Sequence, residues 1–335
     1  MTLPLTKKKL NIKNIAISPP LLLAPMAGLT HSAFRRLISE FGGYGALFTE
    51  MLSASALVKE DLHTSTFTRK RPQEKQVFYQ LKLNGSEPLD LIFKRLETIE
   101  PSGIDINLGC PAPEIKKDKA GTALFEDTAR MRKVLESCRK RWKGILTVKC
   151  RLGAPAENWE EKFYNRIRLF EEYGMDAVTV HPRFSHEKLK RKARWDLFPS
   201  IASQTKLPLI ANGDICSKED IFNLFDESGC SGVMIGRMAV VKPWIFAHAC
   251  GKPVQVDYQE TWEKACSYIL EDFPPHKAIG RIKEFGTYFS RNFFFGHQFY
   301  AAVQSSSDIK TLLNRADEFL SREPRLAKEP SVVGI

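Results

Sequence analysis

Short apolar segments recur along the chain, and most of them are continuous rather than alternating with polar residues. They are rich in Val, Ile and Leu, which is typical of parallel strands buried on both faces. We predict eight strands at 21–26, 46–50, 77–83, 104–110, 144–152, 177–183, 207–213 and 232–237. Segments with helical periodicity, such as "HSAFRRLISEFGG" and "DTARMRKVLESCRKRW", lie between many of them. A helix followed by a loop is expected within 51–75.

Eight strands alternating with helices over about 250 residues have the size and rhythm of a (β/α)8 barrel. A doubly wound open sheet is the alternative, but the first strand is not followed by the G-x-G-x-x-G turn typical of that fold. We therefore predict an α/β protein with a TIM barrel in residues 1–250. A small helical bundle is predicted in residues 251–335, because the pattern from about 255 to 322 is helical. The last residues, "SREPRLAKEPSVVGI", are expected to be a frayed tail.

The predicted strands share a second feature, because each ends in a polar, reactive or small residue. These residues are Met26, Glu50, Gln80, Cys110, Lys149 with Arg151, His181 with Arg183, Asn212 with Asp214, and Gly236 with Arg237. In a barrel they converge on the carboxyl-terminal mouth, where the active sites of this fold lie. Each residue taken alone has an ordinary structural explanation, but the recurrence in all eight strands favours a shared site.

The segment "IDINLGCPAP" places Cys110 at the end of the fourth strand, between a glycine and a proline. Pro111 and Pro113 indicate that the following residues form a loop rather than core. A thiol at such a position can act as a nucleophile or as a general acid, and the residues alone leave both roles open.

The turns after the seventh and eighth strands, "ANGD" and "MIGRMAVVKPW", contain glycines that leave backbone N–H groups accessible. Barrels of this class often bind a phosphate between these two loops, so we expect a phosphorylated cofactor there. No Cys/His cluster has the spacing of zinc ligands, and no metal site is predicted.

The chain carries 50 Lys and Arg against 39 Asp and Glu, a formal net charge of +11 that attracts polyanions such as nucleic acid. Positive charge is concentrated in "RFSHEKLKRKARW" (183–195), after the sixth strand, and on one face of a predicted helix at 276–294. Both segments could be ordinary solvated faces. Beside an active site, we interpret them as contacts to an RNA backbone. The predicted contacts are Lys188, Lys190, Arg191, Lys192, Arg194, Lys277, Arg281 and Arg291.

The remaining features concern the compartment. The seven cysteines form no C-x-x-C pair, and the basic N-terminus lacks the apolar core of a signal peptide. The apolar runs are too short to span a bilayer. We expect a soluble cytoplasmic protein without membrane association and without an obligate protein partner.

Seven motifs together resemble the tRNA-dihydrouridine synthase family, in order and with family-like spacing. They are "LAPMAGLTHSAFR", "INLGCPAPEI", "KAGTALF", "VKCRLG", "VHPR", "IANGDI" and "MIGRMAVVKPWIF". The resemblance covers roughly residues 20–246 and is most similar to the bacterial B-type enzymes. The position and size of the C-terminal helical region also match the RNA-binding domain of that family.

The resemblance implies a flavoprotein oxidoreductase that uses FMN and NADPH to reduce uridine in folded RNA to 5,6-dihydrouridine, with tRNA as the expected partner. Cys110 is implied as the proton donor, and Asn107, Arg151 and Arg183 as the residues on the substrate side. The FMN-binding residues implied by motif position are Pro25, Met26, Ala27, Gln80, Lys149, His181, Asn212, Gly213, Asp214, Gly236 and Arg237.

Two departures from the family pattern concern the RNA. "VHPR" has proline where many relatives have glycine, and the loop that follows is more basic than expected, so ribosomal RNA stays an alternative to tRNA. No dinucleotide fingerprint distinguishes NADPH from NADH. Two other functions also stay open. A flavin-dependent reductase of free pyrimidines, similar to dihydroorotate dehydrogenase, would not need the basic loop, and a catalytically silent RNA-binding protein would not need Cys110, Lys149 and Arg151.

Overall fold

A ring of eight parallel strands forms the centre of the protein. The structure, a computed structural model, describes residues 4–187 and 189–334. A hairpin of β1 (Leu10–Ile12) and β2 (Ile15–Ile17) precedes the ring. The ring consists of β3 (Leu21–Leu23), β4 (Leu47–Phe48), β5 (Val77–Leu81), β6 (Gly103–Leu108), β7 (Leu146–Gly153), β8 (Ala177–Phe184), β9 (Leu209–Asn212) and β10 (Gly232–Ile235).

The neighbours in the ring are β3-β10-β9-β8-β7-β6-β5-β4, and all pairs are parallel. A parallel bridge between Leu22 and Ala46 joins the two ends and closes the barrel. The predicted TIM barrel is therefore confirmed. Several strands stop before their predicted ends: β3 ends at Leu23 and β6 at Leu108, because the residues beyond them leave the ladder and turn across the mouth.

The helices surround the barrel and continue beyond it. They are α1 (Ser32–Phe41), α2 (Ala54–Lys59), α3 (Leu89–Glu97), α4 (Pro113–Lys117), α5 (Thr122–Glu126), α6 (Thr128–Arg141), α7 (Trp159–Glu172), α8 (Phe198–Ser203), α9 (Lys218–Glu227), α10 (Arg237–Val241), α11 (Ile245–Ala249), α12 (Tyr258–Asp272), α13 (Pro275–Phe289), α14 (Gly296–Gln304) and α15 (Ile309–Leu320). Among the described residues, none of these helices is long and apolar enough to cross a membrane.

Local sequence explains where several helices begin. Asp127 caps α6 by accepting the backbone N–H of Arg130 at 3.0 Å. Ser217 and Asp220 form a reciprocal capping box at the start of α9. These caps define where α6 and α9 begin, and the helices then return the chain to the next strand.

The amino-terminal end of the barrel is filled with apolar side chains. Leu10, Ile12 and Ile17 of the hairpin belong to the same buried cluster as Phe48 and Phe78, which point into the barrel. The rings of Phe48 and Phe78 stack with centroids 4.9 Å apart. Because this end is packed, the carboxyl-terminal end is the face on which a cavity can open.

The C-terminal helices α12–α15 pack around one aromatic side chain. The indole of Trp262 lies 5.8 Å from the ring of Phe285, 5.8 Å from that of Phe289 and 4.9 Å from that of Phe299. Phe285 also meets Phe34 of α1 at 6.2 Å, and the buried core runs continuously from the barrel into this region. The predicted helical C-terminal region is confirmed, whereas its separation as a domain at residue 250 stays a prediction.

The expectation of a frayed C-terminal tail is wrong for the described residues. Leu326 pairs with Phe293, and the backbone N–H of Ala327 donates to Asn292 at 2.8 Å. Farther along, the carbonyl oxygen of Val332 accepts a 2.8 Å hydrogen bond from Arg237, and the Val332 side chain is buried. The tail therefore returns to the barrel mouth, through contacts that its composition does not indicate.

Candidate functional site

One cavity at the carboxyl-terminal mouth contains every residue that the sequence assigned to a cofactor or a substrate. It encloses about 980 Å³, including the part open to solvent, which is within the usual size of ligand sites. The predicted cofactor residues that line it are Pro25, Met26, Ala27, Gln80, Lys149, His181, Asn212, Gly213, Asp214, Gly236 and Arg237. The predicted substrate and catalytic residues that line it are Asn107, Cys110, Arg151 and Arg183. Their roles stay predictions, but their convergence is a property of the fold.

Strand register explains this convergence. Asn107 on β6 lies opposite Lys149 on β7, and Arg151 lies opposite His181 on β8. The ladder shifts between Arg151 and Gly153, so the tip of β7 bends at the mouth. Because all strands are parallel, these residues extend from one rim of the barrel.

The cavity wall is strongly cationic. Burial, and then the neighbouring Arg151, lower the pKa of Lys149 to about 8. Burial and Arg183 lower the pKa of Arg151 to about 10. Mutual repulsion of this kind favours an anionic ligand, because a negative charge placed between these groups would restore their preference for the charged form.

His181 is held in its neutral form. Burial and the nearby Arg151 lower the pKa of its imidazole well below the ordinary value. Its Nε2 accepts from Nη1 of Arg183 at 2.7 Å, which fixes the proton on Nδ1. The histidine therefore presents no charge of its own to a ligand.

Asp214, in the loop after β9, connects an arginine of β8 with an arginine at the start of α10. It accepts from Nη2 of Arg183 and, at 3.1 Å, from Nη2 of Arg237. Its backbone adopts a φ of +54°, which is uncommon for a residue other than glycine. All three types of guanidinium nitrogen of Arg183 are engaged, since Nε donates to the carbonyl oxygen of Arg191. The geometry thus gives Arg183 a supporting contact with His181 in addition to its predicted place near the substrate.

Cys110 lies on the rim of the cavity in a tightly held turn. Its backbone N–H donates to Oδ1 of Asn107 at 3.0 Å, and its carbonyl oxygen accepts from the N–H of Thr122 at 3.0 Å. Gly121 has a φ of +59°, and a β-carbon there would lie 2.5 Å from the Cys110 carbonyl oxygen. Only glycine fits at this position, so the motif "KAGTALF" supports the cysteine loop from behind.

Ten residues of the cavity wall were not among the predicted site residues: Ala24, Met51, Gly109, Pro111, Leu189, Ile215, Cys216, Met234, Met238 and Val332. Cys216 lies two residues after Asp214, so extending the set of strand-end residues by two positions would have included it. Val332 had no signal of any kind, because its contact with Arg237 joins positions 95 residues apart.

The predicted RNA-contacting loop is only partly available for such contacts. Lys190, Arg191 and Lys192 are exposed, whereas Lys188 lies outside the described residues. Both terminal nitrogens of Arg194 bind the carboxylate of Glu187, at 2.8 and 2.6 Å, so its role as an RNA contact stays a prediction. This pairing lowers the pKa of Glu187 to about 2 and compensates the charge of Arg194 inside the loop.

The predicted basic helix face is also only partly available. Lys277 is exposed, but Arg281 is half-buried, with its guanidinium over the ring of Phe273 at 5.5 Å and beside Gly28 of the barrel. Arg291 lies in a short 3₁₀ turn beyond the end of α13. Arg281 thus contributes to the contact between the helical region and the loop after β3.

The closed barrel and the reactive cavity at its mouth define a TIM-barrel enzyme. Residues 22–300 match the family model described as "Dihydrouridine synthase (Dus)". The chain belongs to the dihydrouridine synthase family, and the resemblance stated from the sequence is confirmed.

Related sequences agree with this assignment, and a solved structure shares the fold. A "Probable tRNA-dihydrouridine synthase" of Rickettsia bellii is 32% identical over 244 residues, covering 71% of this chain and 72% of the relative. One of Aquifex aeolicus is 29% identical and covers 90% and 96% of the two chains. "tRNA-dihydrouridine synthase B" of Klebsiella pneumoniae is 31% identical and covers 68% and 70%. The structure of histamine dehydrogenase from Rhizobium sp. 4-9 has a TM-score of 0.58 at 10% identity, covers 79% of this chain and 51% of that one, and indicates a shared fold.

Proposed function

We propose that the protein reduces uridine in tRNA to 5,6-dihydrouridine in the cytoplasm, with FMN held in the cavity and NADPH as the reductant. The observation that carries this proposal is the position of Cys110, a thiol on the rim of a cationic cavity at the mouth of the barrel. Membership of the dihydrouridine synthase family and relatives named tRNA-dihydrouridine synthase support it.

The residues of the cavity fit a flavin mononucleotide. The guanidinium of Arg237 and the backbone at Gly236 suit a phosphate, and Lys149 suits the electron-rich edge of the ring system. A β-carbon at Gly236 would lie 3.6 Å from Ala24 and Met26, so the turn approaches the cavity floor closely. When bound, FMN supplies the hydride that reduces the pyrimidine ring and regains it from NADPH.

The protein residues supply the proton and the orientation. The Cys110 thiol donates a proton to C5 of the uracil ring, as a general acid on the side of the ring away from the hydride donor. Arg151, together with Asn107 and the supported Arg183, orients the pyrimidine carbonyl groups. The target uridine must leave its stack to enter the cavity, as in other enzymes that act on a base.

Two cationic surfaces bind the RNA backbone in this proposal. The loop after β8 offers Lys190, Arg191 and Lys192, and the helical region offers Lys277 and Arg291. Residues 251–335 serve as the RNA-binding domain. The loop adjoins the cavity, since Leu189 lines its wall, and the helical region reaches Gly28, next to the lining residue Ala27, through Arg281.

The test is a reconstitution with defined components. The purified protein should show a flavin absorption spectrum, and denaturation should release FMN. With NADPH it should form dihydrouridine in unmodified tRNA but not reduce free uracil or orotate. A protein that binds no added FMN, or that reduces only free pyrimidines, would overturn the proposal, and activity confined to a ribosomal RNA fragment would overturn its choice of tRNA.

A further inference from the structure

A hydrogen-bonded chain runs from the buried interior of the barrel to the cysteine turn. It begins at Asp105 on β6, whose side chain has no exposed surface. Oδ1 of Asp105 accepts from the hydroxyl of Thr147 at 2.6 Å, and Oδ2 accepts from Nε2 of Gln80 at 2.7 Å. The carboxylate is therefore bound on both oxygens by groups that are themselves buried.

The chain continues from Gln80 to the rim. Oε1 of Gln80 accepts from Nδ2 of Asn107 at 2.7 Å. Oδ1 of Asn107 then accepts from the backbone N–H groups of Gly109, at 3.2 Å, and Cys110, at 3.0 Å. Four successive residues are thus linked in one direction, from Asp105 to the turn that carries the thiol.

This direction is fixed at both ends, because the backbone N–H groups of Gly109 and Cys110 can only donate and an ionised Asp105 can only accept. A side-chain amide has a donor end and an acceptor end and can occupy its site in either orientation, whereas an ionised carboxylate has no donor. Asp105 therefore selects the orientation in which Gln80 presents its NH₂ inward and its oxygen to Asn107. Asn107 must then present its own oxygen to the Cys110 N–H, and the reverse orientation would place donor against donor.

We propose that Asp105 is a positioning residue, whose carboxylate fixes the orientation of the Gln80 and Asn107 amides and thereby holds the backbone turn of Cys110 at the cavity rim. The inference rests on the proposed function only for the role of Cys110 as proton donor. The chain of contacts does not depend on it.

The burial of Asp105 supports a requirement for the carboxylate. Burial raises the pKa of this group to about 6, so the ionised form is held there at a cost in free energy. An asparagine would fill the same volume without that cost. Unlike a carboxylate, however, an asparagine side chain can both donate and accept hydrogen bonds, so its amide could face Gln80 with either end.

Asp105→Asn and Thr147→Val form a matched pair for the test. Asp105→Asn removes the carboxylate, whereas Thr147→Val removes one of its two hydrogen-bond donors, and Thr147 lies outside the series of contacts that leads to Cys110. A general packing role predicts similar behaviour of the two variants, whereas a positioning role predicts a change at the cysteine turn in Asp105→Asn alone. Melting temperature and flavin content show whether each variant folds and retains its cofactor.

The first measurement is hydrogen–deuterium exchange at the Gly109 and Cys110 amides, which requires no enzyme activity. Asp105→Asn should speed exchange there by at least about tenfold, because the bond to Asn107 no longer has a fixed acceptor. Thr147→Val should leave it near the wild-type rate. Unchanged exchange in Asp105→Asn, or an equal increase in both variants, would overturn the proposal.

A double variant exchanges the carboxylate and the amide between positions 105 and 80. In Asp105→Asn with Gln80→Glu, the carboxylate moves one position along the chain and again accepts from Asn107, so protection of the Cys110 amide should return. An exchange rate no slower than in Asp105→Asn would count against the proposal. If Asp105→Asn does not fold, a folded and protected double variant supports the proposal, and a double variant that also fails to fold contradicts it.

The activity measurement separates this inference from the proposed function. Asp105→Asn should lower kcat for dihydrouridine formation by about 10²-fold, the scale expected for a misplaced reacting group, with little change in KM for tRNA. Wild-type kcat in a variant with fast exchange would overturn the role in positioning. If wild type itself forms no dihydrouridine while the exchange results hold, the proposed function fails and the structural role of Asp105 stands.

Discussion

At the scale of single residues, the site places one reactive group among several fixed ones. Cys110 is held through its backbone on both sides, so its thiol is positioned without using the thiol itself in a contact. The cations of the neighbouring strand β7, Lys149 and Arg151, have pKa values lowered by burial and by nearby arginines. Substitutions at this scale should therefore separate proton donation from cofactor binding.

Cys110→Ala should retain its fold and its flavin but lose most dihydrouridine formation. Removal of a general acid costs about 10²–10⁴-fold in rate, while reduction of the flavin by NADPH needs no proton from this thiol. The two half-reactions can be followed separately by flavin absorbance and by quantifying dihydrouridine. Cys138→Ala, at a buried cysteine of α6, is the control. A near-wild-type rate in Cys110→Ala would contradict the assignment.

Arg237→Ala should purify with much less flavin than the wild type. A hydrogen bond between charged groups is worth about 1.5–3 kcal/mol, so the Kd for FMN should rise roughly 10- to 100-fold. The ratio of flavin to protein absorbance and a titration of the apoprotein measure this. Arg132→Ala, on the exposed face of α6, removes the same charge away from the cavity. Full flavin occupancy in Arg237→Ala would exclude Arg237 as the phosphate contact.

Asp105 should make stability depend on pH in a direction unusual for a carboxylate. Its pKa is about 6 in the folded state and 3.8 ordinarily, so between these values the folded protein binds the extra proton and stability falls as pH rises. Relative to Asp105→Asn, the unfolding free energy of the wild type should fall by about 2 kcal/mol between pH 4.5 and 7.5. Urea denaturation of both proteins at these pH values measures the difference, and a constant difference would show that Asp105 does not titrate this way.

At the scale of elements, the loop after β8 has an inner and an outer part. Arg194 and Glu187 form its internal ion pair, and Arg183 holds its backbone at Arg191. Lys190 and Lys192 remain at the surface. The loop is thus fixed by some of its charged residues and presents the others to a partner.

Neutralising Lys190, Arg191 and Lys192 to Gln should weaken RNA binding and its dependence on salt. Each phosphate contact contributes about 0.7–0.9 to the slope of log affinity against log salt, so the slope should flatten by roughly two to three. Titrations with tRNA at several salt concentrations measure it. The control neutralises Lys140, Lys143 and Lys206, which are exposed at the amino-terminal end of the barrel. Equal losses in the two variants would mean that only net charge matters.

At the scale of the whole molecule, the helical region is attached to the barrel by a buried ionic contact. Asp272 at the end of α12 accepts from both Arg69 and Arg71 of the segment after α2, and its side chain has no exposed surface. The adjacent carboxylate, Glu271, pairs with Arg36 and with Arg71 but is half exposed. Two adjacent acidic residues thus differ in burial at the same junction.

Asp272→Asn should destabilise the protein, whereas Glu271→Gln should have little effect. Loss of the buried carboxylate leaves Arg69 without its charged partner and Arg71 with only the exposed Glu271, at a cost of about 1–3 kcal/mol. An exposed pair contributes at most about 1 kcal/mol. Chemical denaturation gives both values, and hydrogen exchange in α12 shows whether the loss is local to the junction. Equal stability of the two variants would argue against the junction as a specific anchor.

Features that depend on residues close in sequence were predicted better than contacts between residues far apart in sequence. The segment "DTARMRKVLESCRKRW" was correctly predicted as helical from the sequence, and its first residue, Asp127, caps α6, because a cap acts within three residues. The pairing of Arg194 with Glu187 was missed although the residues are close in sequence, since charge alone does not show which way a side chain turns. The contact of Arg237 with Val332 had no local signature at all.

The sequence by itself determined the order of strands and helices and which residues stand at the strand tips. Parallel strands in a closed ring all end on one side, so that order already implied that Cys110, Lys149 and His181 would meet. Only the tertiary structure decided how these groups are oriented. The direction of the amide chain from Asp105, the turn of Arg194 toward Glu187 and the return of the tail to Arg237 depend on distances and angles between separate elements. Periodicity and composition carry no information about these.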